Sequence, residues 1–319
     1  MSDNKTAYIS FSDGEETLPI FMQAWWLDAV CRDTGLEWDV ALVKDKSHTI
    51  VAALTYAYRS KWGLKIITVP PLTKYMGIWQ RPLTYPTNHE NSNEEQIRIK
   101  SLLAQMPDYH RITLQLCPDI KDHSVFTWAG YNVETRYLQM LLDIPKTDAV
   151  YTQLNRNTKR NIKKAEQHFK IEITDDSELF LKLNNAVFTR QNKQNPIAEA
   201  TWRYLDSILK EKKQRRIYLS KDENGMAQGA FYMIFDKQYG YALANGLSEH
   251  GRDQGAMSQL TWQAIQDTTQ MGLSFNFLGS MLPNVEAFNR GFNSVKKPYF
   301  VLNKSKNSIF DLIFKMMGK

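Results

Sequence analysis

Gly251-Arg252-Asp253-Gln254-Gly255-Ala256 lies between a strand-like run, Tyr239 to Ala244, and a stretch from Ala256 to Met271 that carries Met257, Leu260, Ala264 and Ile265 on one helical stripe. A strand, a glycine-bearing loop and a helix start present free backbone N–H groups at the positive end of a helix dipole, an arrangement suited to a pyrophosphate. Glycine matters in such a loop because a side chain would hold the phosphate off the backbone. The same spacing also fits a plain turn followed by a helix. Downstream, Ser274 to Phe277 reads as another strand. It runs into Leu278-Gly279-Ser280-Met281, a turn at Pro283 and a helix through Val285 and Phe288. Strands alternating with helices predict an α/β fold, whose sites lie where strands end.

Working outward, the second half supplies helices over Thr152 to Phe169, Glu178 to Gln191 and Glu199 to Lys212. Its strands fall at Arg216 to Ser220, Gly229 to Phe235 and Tyr299 to Leu302. The first half alternates in the same way. A short strand is expected at Ala7 to Phe11, then a helix with Thr17 as cap and Pro19 in its first turn, closed by Gly35. Strands follow at Trp38 to Val43, Thr49 to Tyr58, Leu64 to Val69, Arg111 to Leu116 and Arg136 to Leu142, with a helix at Asn93 to Gln105. Asp143 to Lys146 reads as the crossover between halves, and Ser308 to Lys319 as an amphipathic terminal helix.

Three groups of residues bear on chemistry. In the helix beginning near Thr152, Arg156, Lys159, Arg160, Lys163 and Gln167 share one face, and Leu154, Thr158, Ile162, Ala165 and Phe169 the other. That cationic strip fits a phosphate or carboxylate of a large substrate, or a solvated face paired with acids elsewhere. At the strand ends, Glu286 is the candidate general base and Ser280 a hydrogen-bond donor, with Tyr241 a third catalytic candidate; Ser280 capping the helix is the plainer reading. Arg252, Gly255, Ala256 and Asn245 are the candidates for holding a phosphate-bearing cofactor. Tyr75 and Trp79, in the proline-bounded loop from Pro70, either wall an acceptor site or pack inward.

Composition excludes several classes. A 319-residue chain with 43% hydrophobic and 23% charged residues is globular and long enough for two domains. A net charge of +6 suits a phosphate-bearing ligand or a weak anionic partner and is too diffuse to mark a nucleic-acid binder, so no DNA partner is expected. Two cysteines, Cys31 and Cys117, fit a reducing cytoplasm. The start of the chain shows no secretory pattern, and no apolar run reaches the ~18 residues a spanning helix needs. The six histidines have no metal-ligand spacing, so no metal is expected; GxGxxG, Walker A, HExxH and GxSxG motifs are missing too.

Taken together, Trp25 to Val30, Pro71 to Trp79, Arg156 to Ala165, Gly255-Ala256 and Phe275 to Met281 resemble the FemAB-like branch of the GNAT superfamily over nearly the whole chain. The resemblance implies an α/β fold of two tandem GNAT-like domains, 1–145 and 146–319, each a mixed, mostly antiparallel sheet flanked by helices, with the donor site in the second. It also implies an acyltransferase that moves an acyl group from acyl-CoA to an amine or hydroxyl of a cell-envelope or glycan precursor. Members that use aminoacyl-tRNA to modify peptidoglycan precursors supply the alternative, with tRNA as partner. Two departures stand out. The pyrophosphate pattern Gln/Arg-x-x-Gly-x-Gly/Ala is matched from Arg252 onward until Met257, and Asn276 and Leu278 stand where the family tends to have acids. Those departures leave open a non-catalytic binding module on the same fold.

Overall fold

The computed structural model describes residues 2–61, 63–142 and 147–307. Packing divides the chain into two units: one runs to Arg136 and is rejoined from Pro298 onward, and the other is Tyr137–Lys297. The first break lies within β6, and the second comes where the last strand returns to the first unit; the sequence reading places a single boundary at 145/146.

In the first unit, α1 (Asp3–Gly14), a 3-10 turn at Ile20–Met22 and α2 (Ala24–Cys31) precede β1 (Glu37–Lys44), β2 (Ile50–Lys61), β3 (Leu64–Thr68) and β4 (Ile78–Gln80). Then come α3 (Asn88–Ala104), β5 (Arg111–Gln115), α4 (Ser124–Trp128) and β6 (Asn132–Leu141). Within this unit the strand order is β1-β2-β3-β5-β12, with Val301–Ser305 of β12 (Val295–Ser305) antiparallel to β5; β4 pairs with β2. Only β3 and β5 run parallel in this set.

The strand expected at Ala7 to Phe11 is helix. Ser2 caps α1 by accepting the Lys5 N–H at 3.1 Å, and Tyr8 and Ser12, four residues apart, are both buried. The Tyr8 hydroxyl donates to the Met22 carbonyl at 2.7 Å, fixing α1 on the 3-10 turn. The helix expected from Asn93 begins earlier, where Thr87 and Glu90 form a capping box.

The second unit contains α5 (Thr147–Gln153), α6 (Arg156–His168), β7 (Lys170–Thr174), α7 (Ser177–Arg190), α8 (Glu199–Glu211), β8 (Arg215–Lys221), β9 (Ala227–Phe235) and β10 (Tyr239–Leu247). Next are α9 (Glu249–Asp253), α10 (Ala256–Gln270), β11 (Ser274–Asn276) and α11 (Pro283–Arg290). Its strand order is β6-β11-β10-β9-β8-β7, antiparallel except for β10 with β11. One face packs Phe231, Met233, Phe275 and Phe277 against Ile162 of α6 and Leu260 and Ile265 of α10. On α7 and α8, Phe180 and Trp202 meet Tyr232 of β9 with ring centroids 5.0 and 5.6 Å away. Each such side chain contributes roughly 1.5–3 kcal/mol on burial, so the sheet is a rigid platform for whatever lies at its strand ends. The crossover Asp143 to Lys146 and the terminal segment Ser308 to Lys319 lie outside the described residues.

Candidate functional site

The strand ends of the second unit are built around a divergence. β10 and β11 are paired only over Tyr239–Tyr241 with Ser274–Asn276. Beyond that point β10 continues to Leu247 beside β9, with a register shift between Ala242 and Ala244, while the chain after β11 turns away. A residue in an antiparallel ladder directs its N–H and C=O to the same side. Ser248 donates its N–H to Gln228 on the β9 side, so Asn245 and Leu247 turn their amides and carbonyls to the opening. Their carbonyls are capped from α7: Asn184 Nδ2 donates to Asn245 at 2.6 Å and Arg190 to Leu247 at 2.9 Å. Gly246 lets α7 lie this close, since a Cβ there would stand 2.8 Å from the Leu183 carbonyl oxygen. Asn184 is itself held by Asn195 at 2.9 Å. Sequence reading missed Asn184 and Arg190; the one signal was a polar residue on the buried stripe formed by Phe180, Leu181 and Leu183.

After β11, Asn276 is fully buried and its Oδ1 accepts the Leu278 N–H at 2.8 Å. That bond accompanies two successive left-handed residues, Leu278 at φ 59° and Gly279 at φ 61°. A branched side chain at positive φ stores strain, which persists where the surroundings over-determine it. Asn276 Nδ2 and Gln254 Oε1 are buried polar atoms without a hydrogen-bond partner among the described residues.

The candidate donor-binding residues fall on either side of this geometry. The stretch read as a loop from Gly251 is in part the short helix α9, and Gly255, at φ 82°, caps α10. A Cβ on Gly255 would stand 2.7 Å from the Asn161 carbonyl oxygen, so this glycine admits the backbone of α6. Ala256 is fully buried and Met257 packs against the core cluster under α10. Arg252 is exposed and paired with Glu249 and Asp253. Asn245 is exposed at the divergence.

Of the catalytic candidates, Glu286 is ion-paired with Lys296 at 3.1 Å and Arg290 at 3.5 Å. Ser280 Oγ accepts the Leu282 N–H at 3.1 Å, a turn-forming bond just before α11. Tyr241 is buried, with its hydroxyl donating to Asp236 at 2.6 Å. Tyr75 and Trp79 pack inward in the first unit: Tyr75 stands edge-on to Phe21, and Trp79 lies tilted against Phe11 and donates to Thr17 at 3.0 Å.

The cationic face of α6 forms as its periodicity predicts, with Thr158, Ile162 and Ala165 buried. Tyr151, Lys159, Arg160, Lys163, Lys164 and Gln167 line a pocket of ≈ 610 Å³ whose lining includes no acid. Lys159 donates to the Thr152 carbonyl at 2.7 Å, Arg160 to Asn157 at 2.6 Å and Lys164 to the Asp253 carbonyl at 2.9 Å. Lys164 thereby ties this face to the loop before α10. Arg156 is exposed on the same helix but does not line the pocket. A second pocket, ≈ 720 Å³, lies along α7 between Glu178, Lys182, Arg190, Arg203 and Glu249. Among the described residues no cluster of three or more His, Cys, Asp or Glu could hold a metal, and no helix is long and apolar enough to cross a membrane.

Residues 153–286 match the model of the acetyltransferase (GNAT) domain. No curated protein matches the chain in sequence. Among solved structures, FemX superimposes with a TM-score of 0.67 at 11% identity, covering 94% of this chain and 96% of its own. L-PGS from Bacillus licheniformis gives 0.56 at 11% identity over 100% and 97%. A tandem GNAT protein from the clavulanic acid biosynthesis pathway gives 0.51 at 10% identity over 89% and 94%. At such identities the likeness is one of fold: residues 153–286 carry a GNAT domain, and the chain shares the fold of FemX and of the tandem GNAT protein.

Proposed function

We propose that the chain is an acyltransferase whose second unit binds an activated acyl donor at the divergence of β10 and β11. The observation that carries this reading is the free strand edge, where the amides of Asn245 and Leu247 face the opening while α7 side chains cap their carbonyls. Backbone N–H groups fixed in a rigid sheet stabilise the oxyanion formed when an amine or hydroxyl attacks an acyl carbonyl, at no reorganisation cost during the reaction. The acceptor is an amine or hydroxyl of a cell-envelope or glycan precursor, handled in a reducing cytoplasm that suits the unpaired thiols Cys31 and Cys117. Glu286, engaged with two cations, serves as base only if substrate displaces them. A water or the acceptor's own group removes the proton more simply.

For the donor, acyl-CoA is the first reading, with its phosphates near Arg252 and the start of α10. The packing of Met257 and of α6 on Gly255 favours a second one, a bulkier phosphate-bearing carrier such as aminoacyl-tRNA, gripped by Lys159, Arg160 and Lys163. The test is binding and transfer with acyl-CoA and aminoacyl-tRNA panels, using wild type and Arg160→Ala/Lys163→Ala. The double variant should weaken donor binding at least tenfold, about 1.4 kcal/mol. A steep loss of affinity with salt identifies the tRNA donor. Wild type that binds and transfers from neither donor sinks the proposal.

A further inference from the structure

The cavity bordered by α6 offers more than charge. Its ≈ 610 Å³ lies within the range of small-molecule sites, about 300–1,000 Å³. Lys159, Arg160, Lys163 and Lys164 line it, and by themselves would suit any phosphate. Tyr151, on the same wall, narrows the choice. It lies half-buried on α5 and packs against the core cluster under α10, with its ring centroid 5.3 Å from that of the buried Trp262. A phenol ring backed by an indole is held as a fixed wall. The Lys159 ammonium stands 5.8 Å from the Tyr151 centroid and is itself fixed by donating to the Thr152 carbonyl at 2.7 Å. An aromatic ring with cations beside it is the pairing that takes an unpaired nucleotide: the base stacks on the ring and the cations meet the phosphate.

The spacing agrees. Lys159 and Lys163, like Arg160 and Lys164, are one helical turn apart, roughly 5–6 Å between Cβ atoms, so like charges repel there and one phosphate can bridge a pair. Glu166, the acid of α6, is not part of the lining. Gln167 brings an amide, donor and acceptor on one side chain, which suits the edge of a base. The cavity also adjoins the donor loop. Lys164 donates to the carbonyl of Asp253, the last residue of α9, two positions before the Gly255 that caps α10.

We propose that this cavity holds one phosphorylated nucleoside of the acyl carrier, its base against Tyr151 and its phosphate among Arg160, Lys163 and Lys164. The inference rests on the donor reading above and names the part of the carrier that α5 and α6 grip. The 3′-phosphoadenosine end of acyl-CoA and an unpaired nucleotide of an RNA carrier both present this chemistry.

The experiment is calorimetric titration of the full chain at one low salt concentration. Adenosine monophosphate is compared with ribose 5-phosphate, which has the same phosphate and no base. Wild type should bind adenosine monophosphate at least about fivefold tighter, the margin one stacked base supplies. Tyr151→Leu should remove that margin and leave ribose 5-phosphate binding as it was, Tyr151→Phe should keep it, and Lys163→Ala should weaken both ligands. Adenosine 3′,5′-bisphosphate and a single-stranded RNA trinucleotide then separate the sources, because the true one should lose about tenfold in Tyr151→Leu. Equal binding of adenosine monophosphate and ribose 5-phosphate to wild type overturns the proposal without any variant. So does Tyr151→Leu that leaves bisphosphate and trinucleotide binding unchanged. Nucleotide binding that depends on Tyr151 in a chain that transfers from no donor would keep the pocket and remove the transferase. Acyl transfer by a chain whose nucleotide binding ignores Tyr151 would do the reverse.

Discussion

Lys74 gives the protein a pH dependence whose sign can be worked out. Its amine titrates near about 8 in the fold instead of 10.5, chiefly through burial, so folding disfavours the ammonium form. Below that midpoint the amine is charged in both folded and unfolded chains, and the full penalty is present. As pH rises towards 10.5 the folded amine loses its proton first, and stability increases. The thiol of Cys31, pushed up to about 12 by burial, works the other way above its ordinary 9.0, so the effect is read against Lys74→Met. Between about pH 8 and about pH 9, wild type should gain about 1 kcal/mol relative to that variant in urea unfolding. Parallel pH profiles would show that the fold leaves this lysine unperturbed. Single residues also show the limit of sequence reading. Gly255 was recognisable as a glycine that something must approach, but what approaches it is the backbone of α6 at Asn161, 94 positions earlier in the chain by the numbering. Asn276 and Leu278 were recognisable as departures from a family pattern. Their joint role, a side-chain amide holding a strained turn, needed coordinates.

At the scale of elements, α6 is oriented against its own dipole. Arg156, Lys159 and Arg160 stand in or next to its first turn, which contains no acid, although the positive end of a helix favours anions there. The helix is kept by its Asn155 cap, which accepts the Thr158 N–H at 2.7 Å, and by the burial of Thr158, Ile162 and Ala165. A cationic first turn is a local cost that an anionic ligand would offset. Arg156→Glu should therefore stabilise the protein by about 0.3–1 kcal/mol in urea unfolding while weakening anionic donor binding. A variant that is less stable than wild type would show that Arg156 serves the fold. The face of α6 was legible because a period of 3.6 leaves a plain trace in sequence. Other elements left none. The break at Leu154 and Asn155, which separates α5 from α6, was hidden inside one continuous helical pattern. α1 was mistaken for a strand because five residues cannot distinguish the two periods. α9 is short, and β7 is an edge strand that alternates only weakly between buried and exposed.

For the molecule as a whole, the informative feature is where the chain returns. Thr113 Oγ1 donates to Asn303 Oδ1 at 2.8 Å, across 190 residues, in the pairing of β5 with β12. Alternation of helix and strand predicted two tandem α/β units. It could not show that a late strand completes the first, since pairing between distant segments is set by loop closure and burial, not by local pattern. Leu302 is fully buried in the first unit's core, within the same cluster as Ile112 and Leu114 of β5. Removing its side chain leaves a cavity as well as lost apolar contact, so Leu302→Ala should cost about 2–5 kcal/mol. Because Leu302 pairs with Leu114, the loss should appear as faster amide exchange along β5 and its other neighbour β3, far in sequence from the substitution. Unchanged protection in β5 alongside lowered stability would mean that β12 contributes apolar mass without holding the sheet edge. Restored protection in Leu302→Ile would identify buried volume at that position as the element that keeps the edge in register.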